Sequence, residues 1–164
     1  HKDSCAIKDF DVRSKEILKK INQFIEQNDI KPTGNPFVLF DRWEERKNFV
    51  AYAFCIPVEE EIISTTNPNI LGGSLPNYLV LKTKLIGNIT LHRKKAYDAA
   101  LKYIAKNKYE EDNGGFYLEV YPTENGNKQN NPTVEILIPV RKRIVIQTVQ
   151  DSLITPENKT ENAE

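Results

Sequence analysis

The chain has 164 residues with 23 basic and 23 acidic side chains, a formal net charge of zero. That balance argues against a nucleic-acid binder, which gathers a basic surplus on one face, and no apolar run is long enough to span a bilayer as a helix. The length suits one domain with a sizeable core, and the two cysteines, Cys5 and Cys55, fit neither a metal-ligand spacing nor a disulfide framework.

Cysteine usage favours a reducing compartment, so a cytoplasmic location is expected. The chain lacks methionine and begins at His1, which points to a piece of something longer; a membrane anchor upstream would be compatible with it. In chain order, apolar residues at Ile17, Leu18, Ile21, Phe24 and Ile25 predict an amphipathic helix over 13–28. Segments 34–43 and 48–58 read as strands, the second almost wholly apolar. A Ser, Thr, Asn, Pro and Gly-rich stretch at 64–77 reads as a connection. A strand over 78–87 and a helix over 91–107 follow, the helix with Tyr97, Ala100, Leu101 and Ile104 on one face. Strands are expected at 114–122 and 132–140 with a polar hairpin loop between them. An additional strand at 141–150 and a disordered tail over 151–164 complete the reading.

The two halves match as strings. Leu18, Ile21, Phe24, Ile25 and Asn28 correspond at one constant offset to Tyr97, Ala100, Tyr103, Ile104 and Asn107, and Ile56-Pro57-Val58 returns as Ile138-Pro139-Val140. The expected fold is therefore α+β: tandem βαββ repeats with pseudo-two-fold symmetry, helices on one face of an antiparallel sheet and a ligand cleft between the repeats. Repeat one covers about 1–60, the linker 61–77 and repeat two 78–140. The offset places the first strand of repeat one before or within "HKDSCAI", so that strand is expected to be truncated.

Alternation along 116–121 sends Phe116, Leu118 and Val120 one way and Tyr117, Glu119 and Tyr121 the other. The first set suits a helix-covered face. The second places a carboxylate between two aromatics, opposite the apolar Pro36, Val38 and Phe40 of the first half. Two readings stand. Glu119 is the acid of an aromatic pocket that takes a lipophilic cation, or it is a solvated residue on an open face, paired with Lys82 or Lys84. Trp43 and Tyr52 either line that cleft or are plain core. His92-Arg93-Lys94-Lys95 and Arg141-Lys142-Arg143 read as solvated charge runs. His1 and His92 are the only histidines, so no metal site and no cofactor are expected.

These residues carry a resemblance. Gly87 after a strand, Tyr103-Ile104 near a helix end, Leu118-Glu119-Val120-Tyr121 and the closing Ile138-Pro139-Val140 resemble the second repeat of gyrase-inhibitor-like small-molecule-binding domains. Such domains form the effector-binding part of AraC- and MerR-type multidrug regulators. "PFVLFDRW…FCIPV" is similar to the first repeat, and the likeness covers roughly 9–140. It implies that Glu119, with Tyr121 beside it, meets a small hydrophobic or cationic ligand. It also implies a neighbouring domain absent from this chain that contacts DNA, this chain making no direct contact with nucleic acid or membrane. Some relatives are proposed to hydrolyse strained cyclic compounds with the same acid, so Glu119 and Tyr121 would be the catalytic pair of an enzymatic alternative. Otherwise no catalytic residue is expected. A third class is a protein-interaction domain using the exposed sheet face.

Overall fold

The computed structural model describes residues 1–59, 67–122 and 133–144. The first half runs β1 (Lys2–Ala6), α1 (Phe10–Gln27), β2 (Phe37–Glu44) and β3 (Phe49–Cys55); the second runs β4 (Val80–Ile86), α2 (Ile89–Lys106), β5 (Tyr109–Glu111), β6 (Tyr117–Val120) and β7 (Thr133–Lys142). All pairings are antiparallel, in the order β1-β3-β2-β6-β7-β4, and β5 joins the far end of β7. The expected α+β class and antiparallel sheet hold, each half contributing its strands in mirrored order about a β2–β6 seam.

The helices form for the reasons their sequences give. Along α1 the buried residues are Phe10, Ser14, Ile17, Ile21 and Ile25, one face at helical spacing. That stripe extends the expected helix a turn earlier, to Phe10. In α2, the Asn88 side chain caps the first turn by accepting from Leu91 N–H at 3.1 Å. Gly87 before it takes a positive φ of 105° that non-glycine residues disfavour. The helix ends match: Asn28 and Asn107 each donate a side-chain N–H back to the carbonyls of Phe24 and Tyr103, at 2.8 and 2.7 Å.

The Ile-Pro-Val motif has a packing cause. Val140 N–H bonds to Leu79 on the β4 side, whereas the Pro139 carbonyl faces the other way and accepts from Asp112. The missing N–H of Pro139 thus points to the gap beyond β6, where no ladder partner is lost. In the first half Thr33 N–H bonds to the Pro57 carbonyl in the same manner. Gly115 permits the close fit, since a Cβ there would lie 2.5 Å from Pro139 Cβ; at Gly34 the corresponding approach to Pro57 is 3.3 Å.

Three expectations need correction. The first strand, which the repeat offset left missing or truncated, is present: Lys2–Ala6 pairs with β3 along its whole length. The faces are inverted. Glu119 lies in register with Val38 and Ile136, both fully buried members of the helix-covered cores, so Tyr117, Glu119 and Tyr121 face the helices. Leu118, in register with Leu39 and Leu137, belongs to the opposite face. Thirdly, Arg141 and Lys142 continue β7 and pair with β5, a strand the sequence pattern did not reveal. The rest of the expected 141–150 strand from 145 on, the 123–131 hairpin loop and the 151–164 tail lie outside the described residues.

Two apolar cores flank the seam. Phe10, Ile17, Ile21, Ile25, Val38, Phe40, Val50, Tyr52 and Phe54 form the first; Leu85, Ala100, Ile104, Ile136, Ile138 and Val140 form the second. Tyr117 packs against both.

Candidate functional site

The register across the seam brings the two expected walls together. Phe40 lies opposite Tyr117 and Val38 opposite Glu119, and Tyr121 N–H bonds to the Pro36 carbonyl at 2.9 Å. Glu119 thus lies in an apolar and aromatic surrounding, and it is 0 % exposed. A carboxylate that deep needs a counter-charge and hydrogen bonds. Neither Lys82 nor Lys84 supplies them, because both pair with Glu135 on the opposite face.

The partner is Arg93, on the first turns of α2. Its Nε donates to Glu119 Oε1 at 3.0 Å and its Nη2 to Oε2 at 3.4 Å, a side-on, two-point contact. Tyr121 donates its hydroxyl to Oε2 at 2.6 Å. The guanidinium carbon stands 5.1 Å from the Phe10 ring centre and 5.6 Å from that of Trp43, within cation–π range of both. Towards the surface, Nη2 also reaches Asp11 Oδ1 at 3.5 Å. Arg93 is 9 % exposed, so the solvated reading of the His92–Lys95 run fails at this residue. Its three neighbours in the run are exposed as expected.

Around the guanidinium the rings interlock. Phe10 contacts Phe40, Trp43 and Tyr52 at 5.5, 6.1 and 4.8 Å between centres, and Phe40 meets Trp43 edge-on at 5.6 Å. The structure therefore gathers Glu119, Tyr121, Val38, Phe40 and Trp43 about one point. Tyr52 stands behind Phe10, its hydroxyl pointing to Asp3 at 3.4 Å. Tyr117 lies on the far side, bonded to Glu111 and 6.2 Å from the Tyr97 ring. Tyr97 brings a buried hydroxyl that feels the Glu119 charge but has no hydrogen-bond partner among the described residues.

Ionisation follows from this burial. Desolvation alone would lower the Arg93 pKa, but Glu119 above all, with Tyr121 and Asp11, leaves it raised. The Tyr97 and Tyr121 hydroxyls are pushed up, first by burial and next by the Glu119 charge, so both stay protonated and Tyr121 remains a donor. Burial likewise raises the Cys55 thiol, which removes thiolate reactivity from that strand.

The expected cleft is closed in this arrangement. One surface cavity of about 340 Å³ is lined by His1, Lys20, Gln23, Phe24, Gln27, Asn67 and Asn69, another of about 470 Å³ by Cys5, Ala6, Asp9, Val12 and Arg13. Neither reaches Glu119. Exposed links also join α2 to the first half on either side of Arg93 in sequence: Lys94 to Glu45 at 3.0 Å, and Thr90 to Asp11. Among the described residues no cluster of His, Cys, Asp and Glu could hold a metal ion, and no helix is long and apolar enough to cross a membrane.

Arg93 and Phe10 are the site residues that sequence reasoning missed, and both were signalled. Extending the α2 stripe of Tyr97, Ala100 and Ile104 one turn back lands on Arg93. Extending the α1 stripe back lands on Ser14 and Phe10.

Comparison with known proteins agrees with this architecture. Residues 6–140 match the family described as Cass2, integron-associated effector binding protein. No curated protein matches. Among solved structures, a chain of the complex titled "Cryo-EM structure of EcmrR-DNA complex in EcmrR-RPo" superposes with a TM-score of 0.65 at 19 % identity, over 81 % of this chain and 50 % of that one. The present chain thus spans about half the length of that neighbour, and the likeness is one of fold. With most of its length covered by the family match, the chain belongs to the Cass2 family of integron-associated effector binding proteins, an effector-binding family of the gyrase-inhibitor-like kind.

Proposed function

We propose that the chain is a small-molecule binding and sensing module whose ligand is a lipophilic cation, held at Glu119 between the two halves. One observation carries this reading: a carboxylate with no solvent exposure, faced by rings, already holds a cation. An external cation placed there would gain the same ion pair and ring contacts. Tyr121 would keep its hydrogen bond to the acid; Val38, Phe40 and Trp43 would form the walls, with Tyr52 and Tyr117 behind them. The matching Thr33–Pro57 and Asp112–Pro139 contacts support reading the halves as a tandem repeat. A ligand between them would act by population shift, favouring one relative arrangement of the halves and so altering contacts with a neighbouring domain. In that setting the chain is the effector-binding part of a transcriptional regulator or a stand-alone relative, and DNA is met by another domain.

The hydrolase reading, with Glu119 as base and Tyr121 as its helper, has less support. Both carboxylate oxygens are already engaged by donors, whereas a general base must be free to take a proton from water. Melting of the purified chain with tetraphenylphosphonium, and with tetraphenylborate as the same shape of opposite charge, tests the proposal. At a hundredfold excess over Kd the cation should stabilise by about 2.7 kcal/mol, and Glu119→Gln should abolish that shift. Equal shifts from both ions, or none from either, would overturn it.

A further inference from the structure

Arg93 has the chemistry of a ligand. It is a planar cation that meets Glu119 through two adjacent nitrogens, Nε on Oε1 and Nη2 on Oε2, with its carbon over the Phe10 and Trp43 rings. It reaches the acid from α2, across the seam from Phe10 on α1 and Trp43 on β2. Its side chain has acceptors at two depths. The inner one, Glu119, is wholly buried; the outer one, Asp11, has 38 % of its side chain exposed and lies 3.5 Å from Nη2.

We infer that Arg93 is a built-in competitor for the cation site, and that the effectors it excludes least are planar amidinium and guanidinium cations bearing an aromatic or apolar group. This rests on the proposed function and deepens it. An amidinium presents two parallel N–H groups and can replace the side-on contact of Arg93 with Glu119. A quaternary cation has no N–H and leaves the carboxylate with the Tyr121 hydrogen bond alone. Entry requires the guanidinium to leave Glu119, and Asp11 receives it at the rim, so the displaced charge keeps a partner. The apparent affinity of the native chain is lowered by the fraction of molecules in which Arg93 occupies the acid. Asp11 is a positioning residue here: it touches no ligand and acts on binding only through Arg93.

Benzamidinium is the probe, with tetraphenylphosphonium for comparison, in titrations of the full chain at fixed ionic strength. Arg93→Ala should bind benzamidinium at least about tenfold more tightly than the native chain, as expected when a predominantly closed state is removed. The gain should vanish in Arg93→Ala/Glu119→Gln. Asp11→Asn should weaken benzamidinium binding in the native background and leave it unchanged in Arg93→Ala, a dependence that a merely structural Asp11 would not show. If Arg93→Ala does not fold unaided, Arg93→Gln carries the same expectation with a smaller gain. Unchanged or weaker benzamidinium binding on truncation of Arg93, or preference for the phosphonium throughout, overturns the inference while leaving Glu119-dependent cation binding standing. Absence of Glu119-dependent binding by either cation overturns both.

Discussion

Val38 and Glu119 lie opposite one another across the β2–β6 seam, and at the constant offset that relates the two helices Ser14 of α1 corresponds to Arg93 of α2. The first half fills this place with an apolar side chain and a small hydroxyl; the second fills it with a buried ion pair. Both halves fold their helix onto the sheet, so the charge is not what the architecture requires. Buried ion pairs rarely outperform well-packed apolar residues, since desolvation of two charges offsets their attraction. The asymmetry supports the proposal that Glu119 and Arg93 serve what the chain binds and excludes rather than its folding.

The largest effect should come from breaking the pair on one side. Glu119→Ala or Arg93→Ala alone should cost about 3–5 kcal/mol in denaturant unfolding, because each strands a buried charge. Copying the first half into the second, Arg93→Ser with Glu119→Val, should recover at least half of either loss. Losses that simply add in the double variant would mean that the two residues act independently. Phe10→Ala should cost about 3–5 kcal/mol as a large core truncation, and it also removes a ring from beneath Arg93.

A middle-sized contrast lies at the glycines beside each Ile-Pro-Val. A Cβ at Gly115 meets backbone-anchored Pro139 at 2.5 Å, whereas at Gly34 the nearest atom is Pro57 Cγ at 3.3 Å. Gly115→Ala should destabilise by about 1–3 kcal/mol, the range for overpacking, and Gly34→Ala by clearly less. Equal losses would show that the closer approach at Gly115 does not make its turn the tighter of the two.

The smallest effect concerns the opposite sheet face. The Lys82 hydrogen bond is the largest influence on Glu135 and, with Lys84, holds its carboxyl below the ordinary range against a weaker opposing effect of burial. The folded state thus releases that proton more readily than the unfolded one. The contribution is complete above the ordinary carboxylate pKa, about 4.3, and is lost as pH falls through the lowered folded value. Solvent screens the lysines, which are half-exposed or more, so Glu135→Gln should cost no more than about 1 kcal/mol at neutral pH. It should cost nothing once the pH is below the folded value; an unchanged difference there would refute the assignment.

Much of this molecule is written in local pattern. Helices α1 and α2, every strand except β1 and β5, and the wall formed by Tyr117, Glu119 and Tyr121 follow from periodicity and from the motif that returns. The face which that wall occupies was not legible. Alternation separates two sets of residues but does not say which set a helix covers, and Leu118 and Val120 looked the more natural core. Arg93 escaped because its three charged neighbours are solvated, and a run of basic residues hides the one member that falls on the apolar stripe. β5 is only Tyr109–Glu111, too short to show a period and dependent on the end of β7 for its partner.

Trp43, the single tryptophan of the chain, lies 5.6 Å from the Arg93 guanidinium and offers the most direct test. Its fluorescence should change saturably as benzamidinium is added to the native chain, and Glu119→Gln should erase the change. Saturable binding that leaves Trp43 unaltered, or that persists undiminished in Glu119→Gln, would place the ligand elsewhere and contradict the account.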